Sequence, residues 1–404
     1  MRAVDSPEVI VVGLGAFGAA TTFQLAKRGL TVLGLDQFRP PHDQGSSHGE
    51  TRITRLAIGE GDEYVPLAVR SHQLWREIEA QSGRRLMFAT GGLVLGDPDL
   101  GGFHHGKEDF VARTISAAQR FGVEHEVLSS AEVKARFPVF SPTPHEIGYY
   151  EPAAGVLVPE RCIQIQLRLA RAHGARLLLG ERVLGVDPGP GAVRVRTKSG
   201  DFSARRVVIA AGAWTGGLLG GAYRERLTLH RQTLHWFTPR DRGPYRAGHF
   251  PVFIWLHGSG PRDLFYGFPL SPAGRGLGVK LAEEQFEIST AAPEALETAV
   301  GAEESEALYA HHAAARLVGL RRPATRAAAC LYTTAPDSRF IVETHPESDR
   351  IHVISACSGH GFKHSAAIGE AVAEWIATGA APPVLLPFGA SRERSSEAAP
   401  VLAS

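Results

Sequence analysis

A β-branched run followed by three spaced glycines most constrains the fold of this chain. The segment VIVVGLGAFG, residues 9–18, carries the spacing G-x-G-x-x-G at Gly13, Gly15 and Gly18. A helix is predicted over residues 16–28, closed by Gly29, and a second apolar strand, LTVLGLD, ends at Asp36. Strand, glycine turn, helix, strand and terminal acid together predict a βαβ unit that binds a dinucleotide.

Each glycine of this motif has its own physical task. Gly13 permits a tight turn, Gly15 lets the backbone approach a pyrophosphate, and Gly18 lets helix and strand pack closely. The helix N-terminus then presents unpaired N–H groups and a positive dipole end to the phosphates, while Asp36 suits a ribose hydroxyl. The motif does not separate FAD from NAD, so both cofactors stay open at this point.

A loop rich in Pro, Gly and Ser follows the second strand. It reads RPPHDQGSSHGETRITR, residues 39–55, and contains His48, Arg52 and Arg55. Because it starts directly after the ribose-binding acid, it is expected at the carboxyl edge of the sheet, where ligands bind in open α/β folds. The two arginines could form an anion site; a solvated basic loop is the alternative.

The rest of the chain alternates helical and strand patterns. A helix is predicted at residues 64–83, a helix–strand pair at 161–180, and alternating strands around a Ser199-Gly200 turn that lead into a buried run at 207–212. Short strands with turns over 227–281 predict an antiparallel sheet. The pattern therefore indicates an α/β protein, α+β overall: a Rossmann-like domain with a parallel sheet, and a substrate domain with a mostly antiparallel sheet and flanking helices.

Length favours two domains, or one nucleotide-binding domain with a large insertion, since 404 residues exceed the size at which one core usually stops growing. Residues 1–85, 146–220 and 326–392 are assigned to a discontinuous nucleotide-binding domain, and 86–145 with 221–325 to the substrate domain; 393–404 form a tail.

Composition excludes several partners and sites. A formal charge of +1 gives no global case for nucleic acid, and no apolar run approaches the length of a membrane span. The cysteines are too few and scattered for a disulfide framework or zinc spacing, which favours a cytoplasmic location. The histidine pairs His104-His105 and His311-His312 lack ligand-like spacing. They are interpreted as surface residues, and no metal site is expected.

Near its C-terminus the chain reads CSGHGFKHS, residues 357–365, directly before a helical pattern that Gly379 closes. The turn is therefore predicted to be a helix N-terminus directed at an anion. Lys363 supplies a compact charge at this turn.

The ordered motifs resemble those of one family. GxGxxG with Asp36, GSSHGETRITR, IAAGAW, YGFP with GLGVK, ACLYTTAPDSRFIV and SGHGFKHS are similar to the monomeric sarcosine oxidase and N-methyltryptophan oxidase group of the D-amino-acid-oxidase-like flavoproteins. The similarity runs over about residues 9–392. It implies FAD rather than NAD, attached covalently through a thioether to Cys330.

The same resemblance implies roles for individual residues. Arg55 and Lys363 would bind the substrate carboxylate, and Lys280 would promote the reaction of reduced flavin with oxygen. His48 and Arg52 would complete a positive pocket around the flavin ring. The remaining expected cofactor contacts are Ser46, Gly359 and Gly361.

Three positions depart from the family pattern. Glu284 stands where the group has a histidine, on the same strand face as Lys280, so it could bind a substrate ammonium or pair with Lys280. Phe265 and Ile58 stand where the group has pocket tyrosines. These departures affect the choice of substrate more than the flavin chemistry.

The resemblance thus implies an FAD-dependent oxidase of N-alkylated or cyclic secondary amino acids. The C–N bond is oxidised to an imine that hydrolyses, and O2 is reduced to H2O2. A monomer is expected, with a small amino acid and O2 as partners. The alternatives are a flavin dehydrogenase with another electron acceptor, a non-catalytic flavin-binding relative, and an NAD-dependent dehydrogenase supported only by the βαβ unit.

Overall fold

The computed structural model describes residues 6–102, 104–105, 107–274 and 278–389. Gly276 and Leu277 of the GLGVK motif and the predicted tail at 393–404 lie outside the described residues.

The α-helices of the described residues include the four that the sequence predicts, together with others that it does not. The α-helices are α1 (Ala16–Lys27), α2 (Val65–Ser82), α3 (Phe110–Phe121), α4 (Ser130–Arg136), α5 (Pro159–Ala172), α6 (Thr215–Leu219), α7 (Gly221–Arg226), α8 (Ala302–Leu308) and α9 (Ser365–Thr378). The predicted ones are α1, α2, α5 and α9. Helix α2 carries Pro66 in its first turn and ends at Gly83, which is in the left-handed region at φ 64°.

The strands are short and are distributed along the whole chain. They are β1 (Val9–Val12), β2 (Val32–Asp36), β3 (Arg52–Thr54), β4 (Met87–Ala89), β5 (Gly92–Gly96), β6 (Glu126–Ser129), β7 (Ile147–Glu151), β8 (Gly155–Leu157), β9 (Arg176–Leu179), β10 (Val183–Pro188), β11 (Val193–Thr197), β12 (Asp201–Ala204), β13 (Arg206–Ile209), β14 (Thr228–Phe237), β15 (Val252–Leu256), β16 (Leu264–Phe268), β17 (Val279–Glu283), β18 (Ser289–Thr290), β19 (Arg326–Thr334), β20 (Ile341–His345) and β21 (Ser348–Ser355).

The chain divides into two compact units, each built from separate segments. The first comprises Met1–His42, Ile163–Thr228 and Thr333–Ser404, and the second comprises Asp43–Cys162 and Leu229–Tyr332. These divisions differ from the sequence-based boundaries, which place 43–85 and 146–162 with the nucleotide-binding segments. Here β3, within 43–85, pairs with β8, within 146–162, and β8 also pairs with β4, so all three strands lie in the second unit. The functional domain assignment stays a prediction.

A Rossmann-like sheet forms the first unit. Its order is β20-β21-β13-β1-β2-β9, and every neighbouring pair from β21 to β9 is parallel. Strand β1 is buried along its whole length, as expected for a central parallel strand covered on both faces. Strands β10, β11 and β12 form a separate antiparallel sheet that includes the turn at Ser199-Gly200.

Helices α1 and α9 of the first unit pack closely on each other. A Cβ built on Gly369 would lie 2.5 Å from Ala20 Cβ, so only glycine permits this approach. The first and last helices of the described chain are thereby joined in one unit.

The second unit is built on a large, mostly antiparallel sheet. Its order is β18-β14-β17-β16-β15-β5-β7-β6, with β19 also paired to β14. Strands β14 to β16 fall within the predicted region 227–281 and β17 begins in it, and the pairs β14–β17, β15–β16 and β16–β17 are antiparallel as expected. The α/β fold class predicted from the sequence is confirmed, and none of the helices described could span a membrane.

Candidate active site

The glycine motif forms the predicted turn in the first unit. Gly13 has φ 87°, and a Cβ on it would lie 2.5 Å from the carbonyl oxygen of Ala210. A Cβ on Gly18 would lie 1.7 Å from the carbonyl oxygen of Gly13, so helix and strand need glycine here. Nothing lies within 4 Å of a Cβ built on Gly15, and no side chain caps the N-terminus of α1 there. This combination of close packing and open space suits a bound phosphate.

Asp36 ends β2 and fixes the loops that border this turn. One carboxylate oxygen accepts a hydrogen bond from the backbone N–H of Leu14 at 2.8 Å, and the other accepts from Phe38 at 2.7 Å. Each oxygen keeps acceptor capacity, so the carboxylate can also receive a ribose hydroxyl.

The turn before α9 depends on its glycines as well. Gly359 has φ 80°, and a Cβ on Gly361 would lie 1.7 Å from the carbonyl oxygen of Ala356. A 3-10 turn, Phe362–His364, leads directly into α9. Lys363 is buried, and its ammonium donates to the carbonyl of His360 at 2.8 Å. The ring of His360 stacks on Phe340 with centroids 4.7 Å apart, which gives this histidine a packing role.

In the second unit, Lys280 is buried in the middle of the sheet. It is 2% exposed, and its ammonium donates to the carbonyls of Gly49 at 2.9 Å and Thr51 at 2.8 Å. It also lies 4.0 Å from the centroid of the Phe268 ring. Burial, and then the nearby charge of Arg52, hold the pKa of Lys280 well below its ordinary value.

Arg52 and His48 adjoin this lysine. The Arg52 guanidinium donates to the carbonyls of Ser46 at 2.6 Å and Thr51 at 2.8 Å. Burial, and then Arg52, lower the pKa of His48 to about 4, so its imidazole is neutral at pH 7. Two buried atoms of the loop, His48 Nε2 and Thr51 Oγ1, have no hydrogen-bond partner among the described residues. Unpaired polar atoms beside a buried cation fit a ligand that carries acceptors and donors.

Arg55 lies in a different environment from Arg52. Its guanidinium is buried, donates to the carbonyl of Ala57, and forms an ion pair with Glu60 at 2.6 Å. The two arginines therefore have different partners, and the carboxylate of Glu60 already balances the charge of Arg55. Ile58 is buried in the same loop.

Glu284 is held between two histidines. One of its oxygens lies 3.3 Å from His104 Nδ1 and 3.4 Å from His105 Nε2. Burial opposes ionisation of this carboxyl, but the two histidines outweigh it and lower the pKa of Glu284. The interpretation of His104 and His105 as surface residues is wrong: both are buried because a loop from a distant part of the sequence covers Glu284.

Two tyrosines that sequence reasoning missed adjoin Glu284. Tyr332 Oη lies 3.5 Å from Glu284 Oε1, and Tyr266 Oη lies 3.3 Å from Tyr332 Oη. Phe265, predicted for this pocket, instead packs with Trp255 and Leu281 on the opposite face of the sheet. The alternation of FYGF along β16 was the available signal, and the register on Lys280 would have identified Tyr266.

Cys330 lies on β19, two residues before Tyr332. It is buried and packs with Leu234, Trp236 and Ala282, and Tyr266 packs against the same cluster. Residues two apart on a strand share a face. The thiol therefore lies on the face of the sheet that carries Lys280, Tyr266 and Tyr332.

The residues within each unit fit an FAD group. The first unit provides the glycine turn, the open helix end at Gly15 and the acid Asp36. The second provides a buried cation, a thiol and polar atoms without partners.

Comparison with known proteins agrees with this assignment. A family model described as "FAD dependent oxidoreductase" matches residues 8–375. A monomeric sarcosine oxidase of Streptomyces avermitilis is 37% identical over 374 residues, covering 92% of this chain and 94% of that protein. An N-methyl-L-tryptophan oxidase of Yersinia pestis is 33% identical over 366 residues, covering 91% of this chain and 94% of that protein.

Solved structures show the same fold at low sequence identity. NikD, described as an unusual amino acid oxidase essential for nikkomycin biosynthesis, has a TM-score of 0.83 at 23% identity, covering 96% of this chain and 98% of that one. An L-proline dehydrogenase from P. horikoshii has a TM-score of 0.75 at 21% identity, covering 97% and 98%. The chain belongs to the FAD dependent oxidoreductase family.

Proposed function

We propose that this protein is an FAD-dependent oxidase of N-alkylated or cyclic secondary amino acids. The relatives that it matches over nine-tenths of its length are sarcosine and N-methyl-L-tryptophan oxidases. The main structural support for an oxidase is the environment of Lys280. This buried amine donates hydrogen bonds to two backbone carbonyls and lies near Arg52. In the net reaction a secondary amine and O2 give an imine and H2O2, and water then hydrolyses the imine.

FAD, when bound, would accept a hydride equivalent from the carbon beside the substrate nitrogen and pass its two electrons to O2. The proposed binding residues are the three motif glycines with Asp36, the loop residues Ser46 and Arg52, and the turn at Gly359, Gly361 and Lys363. His48 and Arg52 provide fixed polar groups for the negative charge that reduction creates. Because these groups are already oriented by the loop, they stabilise that charge without reorganisation.

Covalent attachment through Cys330 is the finer cofactor proposal. Its support is the position of the thiol on the same sheet face as Lys280, together with the CLYT motif that resembles the family. Acid precipitation tests it: a yellow pellet is expected, and Cys330→Ala should release its FAD into the supernatant. A colourless wild-type pellet would contradict attachment.

Lys280 is proposed to favour the oxygen half of the reaction. The first electron transfer to O2 develops negative charge, and an ammonium whose donors are fixed on Gly49 and Thr51 stabilises it. A flavin dehydrogenase, the main alternative, would not need this cation.

Substrate recognition is proposed to involve charges of both signs. Lys363 and Arg55 are candidates for the substrate carboxylate, although Arg55 is paired with Glu60 and would have to exchange that partner. Glu284 is proposed to bind the substrate ammonium. Its pairing with Lys280, the other possibility at this position, is not supported, since the amine of Lys280 is bonded to backbone carbonyls instead.

A peroxide-coupled screen tests the proposed function. Sarcosine, N-methyl amino acids, proline and pipecolate are each added to the holoenzyme in air, and H2O2 is measured. At least one should give peroxide in proportion to the substrate consumed. Bleaching of the flavin without peroxide would support a dehydrogenase, and silence across the panel with a fully loaded flavin would support a non-catalytic relative. A monomeric state and a cytoplasmic location are further proposals that rest on sequence alone.

A further inference from the structure

Three histidines converge in the second unit, on the face of the sheet opposite Lys280. They are His257, just after β15, and His311 and His312, in the π-helical turn Tyr309–Ala313 after α8. One ring nitrogen from each lies within 4.8 Å of those of the other two. The prediction that His311 and His312 are surface residues holds for His311, which is 51% exposed, but not for His312, which is fully buried.

The chain builds this convergence with two local devices. The turn HGSGPRD fixes His257 and Asp263 together, since His257 N–H donates to the Asp263 carbonyl at 2.8 Å and Gly260 N–H donates to its carboxylate at 3.0 Å. A Cβ on Gly258 would lie 2.3 Å from that carboxylate, so a larger residue there would displace the Asp263 side chain. The second device is the π-helical turn, a geometry that is rare in proteins and frequent at functional sites.

Carboxylates stand behind two of the three imidazoles. Glu283 Oε2 lies 3.1 Å from His312 Nε2, which leaves His312 Nδ1 facing His257 Nε2 at 2.9 Å. Asp263 Oδ1 lies 3.3 Å from His311 Nε2. A carboxylate on the far nitrogen of an imidazole is the usual way in which proteins orient a metal-binding histidine and raise its basicity.

The residues around the three histidines include both a cation and carboxylates. The guanidinium of Arg316 donates to the carbonyls of His311 and His312, which fixes the turn. Asp263 and Glu283 supply negative charge that can offset a divalent cation, in competition with Arg262, which pairs with Glu283 at 3.1 Å.

We propose that His257, His311 and His312 bind one divalent transition-metal ion of the Zn2+ class. Imidazole is a good ligand for such ions, and three protein ligands with an open fourth position form a common tetrahedral site. Zn–N bonds of 2.0–2.1 Å place ligand nitrogens about 3.3 Å apart. On metal binding, His257 Nε2 and His312 Nδ1 therefore move slightly apart from their distance of 2.9 Å. The exposed ring of His311 moves towards them to supply the third ligand. The ion would tie the β15–β16 turn to the π-helical turn.

Metal titration of the FAD-loaded, chelator-treated protein tests this proposal without measuring activity. Isothermal titration with Zn2+ should give one site, and Co2+ should produce the visible absorption of tetrahedral coordination. His311→Ala removes an exposed ligand without disturbing the core and should weaken binding at least tenfold. His257→Gln should weaken it similarly.

Two controls localise the site. His145→Ala removes an exposed histidine outside the cluster and should bind Zn2+ like the wild type. His105→Gln addresses a second group of candidate ligands, Glu60, His104 and His105, and should also leave the affinity unchanged. The proposal would be overturned if the wild type did not bind Zn2+, or if His311→Ala and His257→Gln both bound it as tightly as the wild type. It would also be overturned if only His105→Gln lost binding.

Discussion

The two faces of strands β16 and β17 carry opposite chemistries from adjacent residues. One face bears Lys280, with Tyr266 and then Glu284 beyond the strand end; the other bears Phe265 and Glu283. On the first face the charged groups are bonded to backbone carbonyls and histidines. On the second, the carboxylate of Glu283 is paired with Arg262 and His312. Because side chains alternate along a strand, a shift of one residue moves a side chain from one face of the sheet, with its set of charged groups, to the other.

The difference shows how a sheet can keep a charge that has no nearby counter-ion, Lys280, apart from one that is paired, Glu283. Lys280 is fixed by dipoles rather than by a carboxylate bond, so its positive charge is not cancelled at close range. Glu283 has its charge balanced locally, and its hydrogen bonds serve the packing of His312 on Phe265, whose ring centroids lie 5.2 Å apart. Substitutions on the first face should therefore change reactivity, and those on the second should change stability.

The largest effect is expected for Lys280→Met. Removal of the cation should slow reoxidation of the reduced flavin by O2 about a hundredfold or more, since each 1.4 kcal/mol or so of lost stabilisation is tenfold in rate. Anaerobic reduction by substrate should change far less. Stopped-flow absorbance measures both steps, and Lys198→Met, at an exposed lysine, is the matched control.

The same lysine predicts a pH dependence. Burial lowers the pKa of Lys280, so its proton is lost at a lower pH than that of an ordinary lysine. The oxygen reaction of the wild type should therefore slow as pH rises through that lowered pKa, and this decline should be missing in Lys280→Met. Equal pH profiles in the two proteins would contradict a role for the ammonium.

A smaller effect is expected for Glu284→Gln. Loss of the carboxylate should raise the KM for amine substrates about tenfold, the cost of roughly 1.4 kcal/mol of ammonium binding. Binding of a simple carboxylic acid inhibitor, which has no amine, should change little. Steady-state kinetics provide the measurement, with Glu283→Gln as the matched control on the opposite face. Equal KM changes in both variants would show that Glu284 does not bind substrate directly.

Phe265→Leu should affect stability and not chemistry. The smaller side chain leaves a gap beneath His312 and should cost about 1 kcal/mol of unfolding free energy. Its kcat/KM should match the wild type, whereas Tyr266→Phe, one residue away, should alter kcat/KM because it removes the hydroxyl beside Tyr332. Denaturant titration and kinetics on the two variants separate the faces.

The smallest effect is expected for Glu283→Gln in acid. Burial opposes ionisation, but the hydrogen bond from His312 and the charge of Arg262 lower the pKa of Glu283 below 4.5. Its folded pKa lies below its unfolded one, so the stability that it contributes is present above the unfolded pKa and is lost as pH falls through the folded pKa. Near neutral pH the unfolding free energy of the wild type should be higher than that of the variant by less than about 1 kcal/mol. This difference should disappear in acid. Unfolding free energies measured across pH 3–7 test this.

The sequence predicted features that are encoded locally. Gly13, Gly15 and Gly18 mark their turn by a short local spacing, and the helices that end at Gly83 and Gly379 are likewise marked by a glycine in the left-handed region. The antiparallel strands between 227 and 281 were likewise visible as alternating patterns.

Features set by distant contacts were not predictable from one sequence. His104 and His105 are buried against Glu284, which lies about 180 residues later in the chain. No local sequence pattern indicates this long-range contact. The position of Phe265 on the face away from Lys280 was not predictable for a related reason, since strand alternation shows which residues share a face but not which face is which. The pairing of Arg55 with Glu60 was within reach, because only five residues separate them.

Because the first unit is built from separate segments of the chain, its paired strands and helices are synthesised at different times. Strand β1 is paired to β13, β13 is paired to β21, and α1 packs against α9. The glycine turn thus leaves the ribosome more than 300 residues ahead of α9, which packs on α1. At 5–20 residues per second this delay is roughly 15–70 seconds. During that interval the pairing of β13 with β21 and the packing of α1 on α9 cannot form, so the first unit is completed only after the last of these segments has been made.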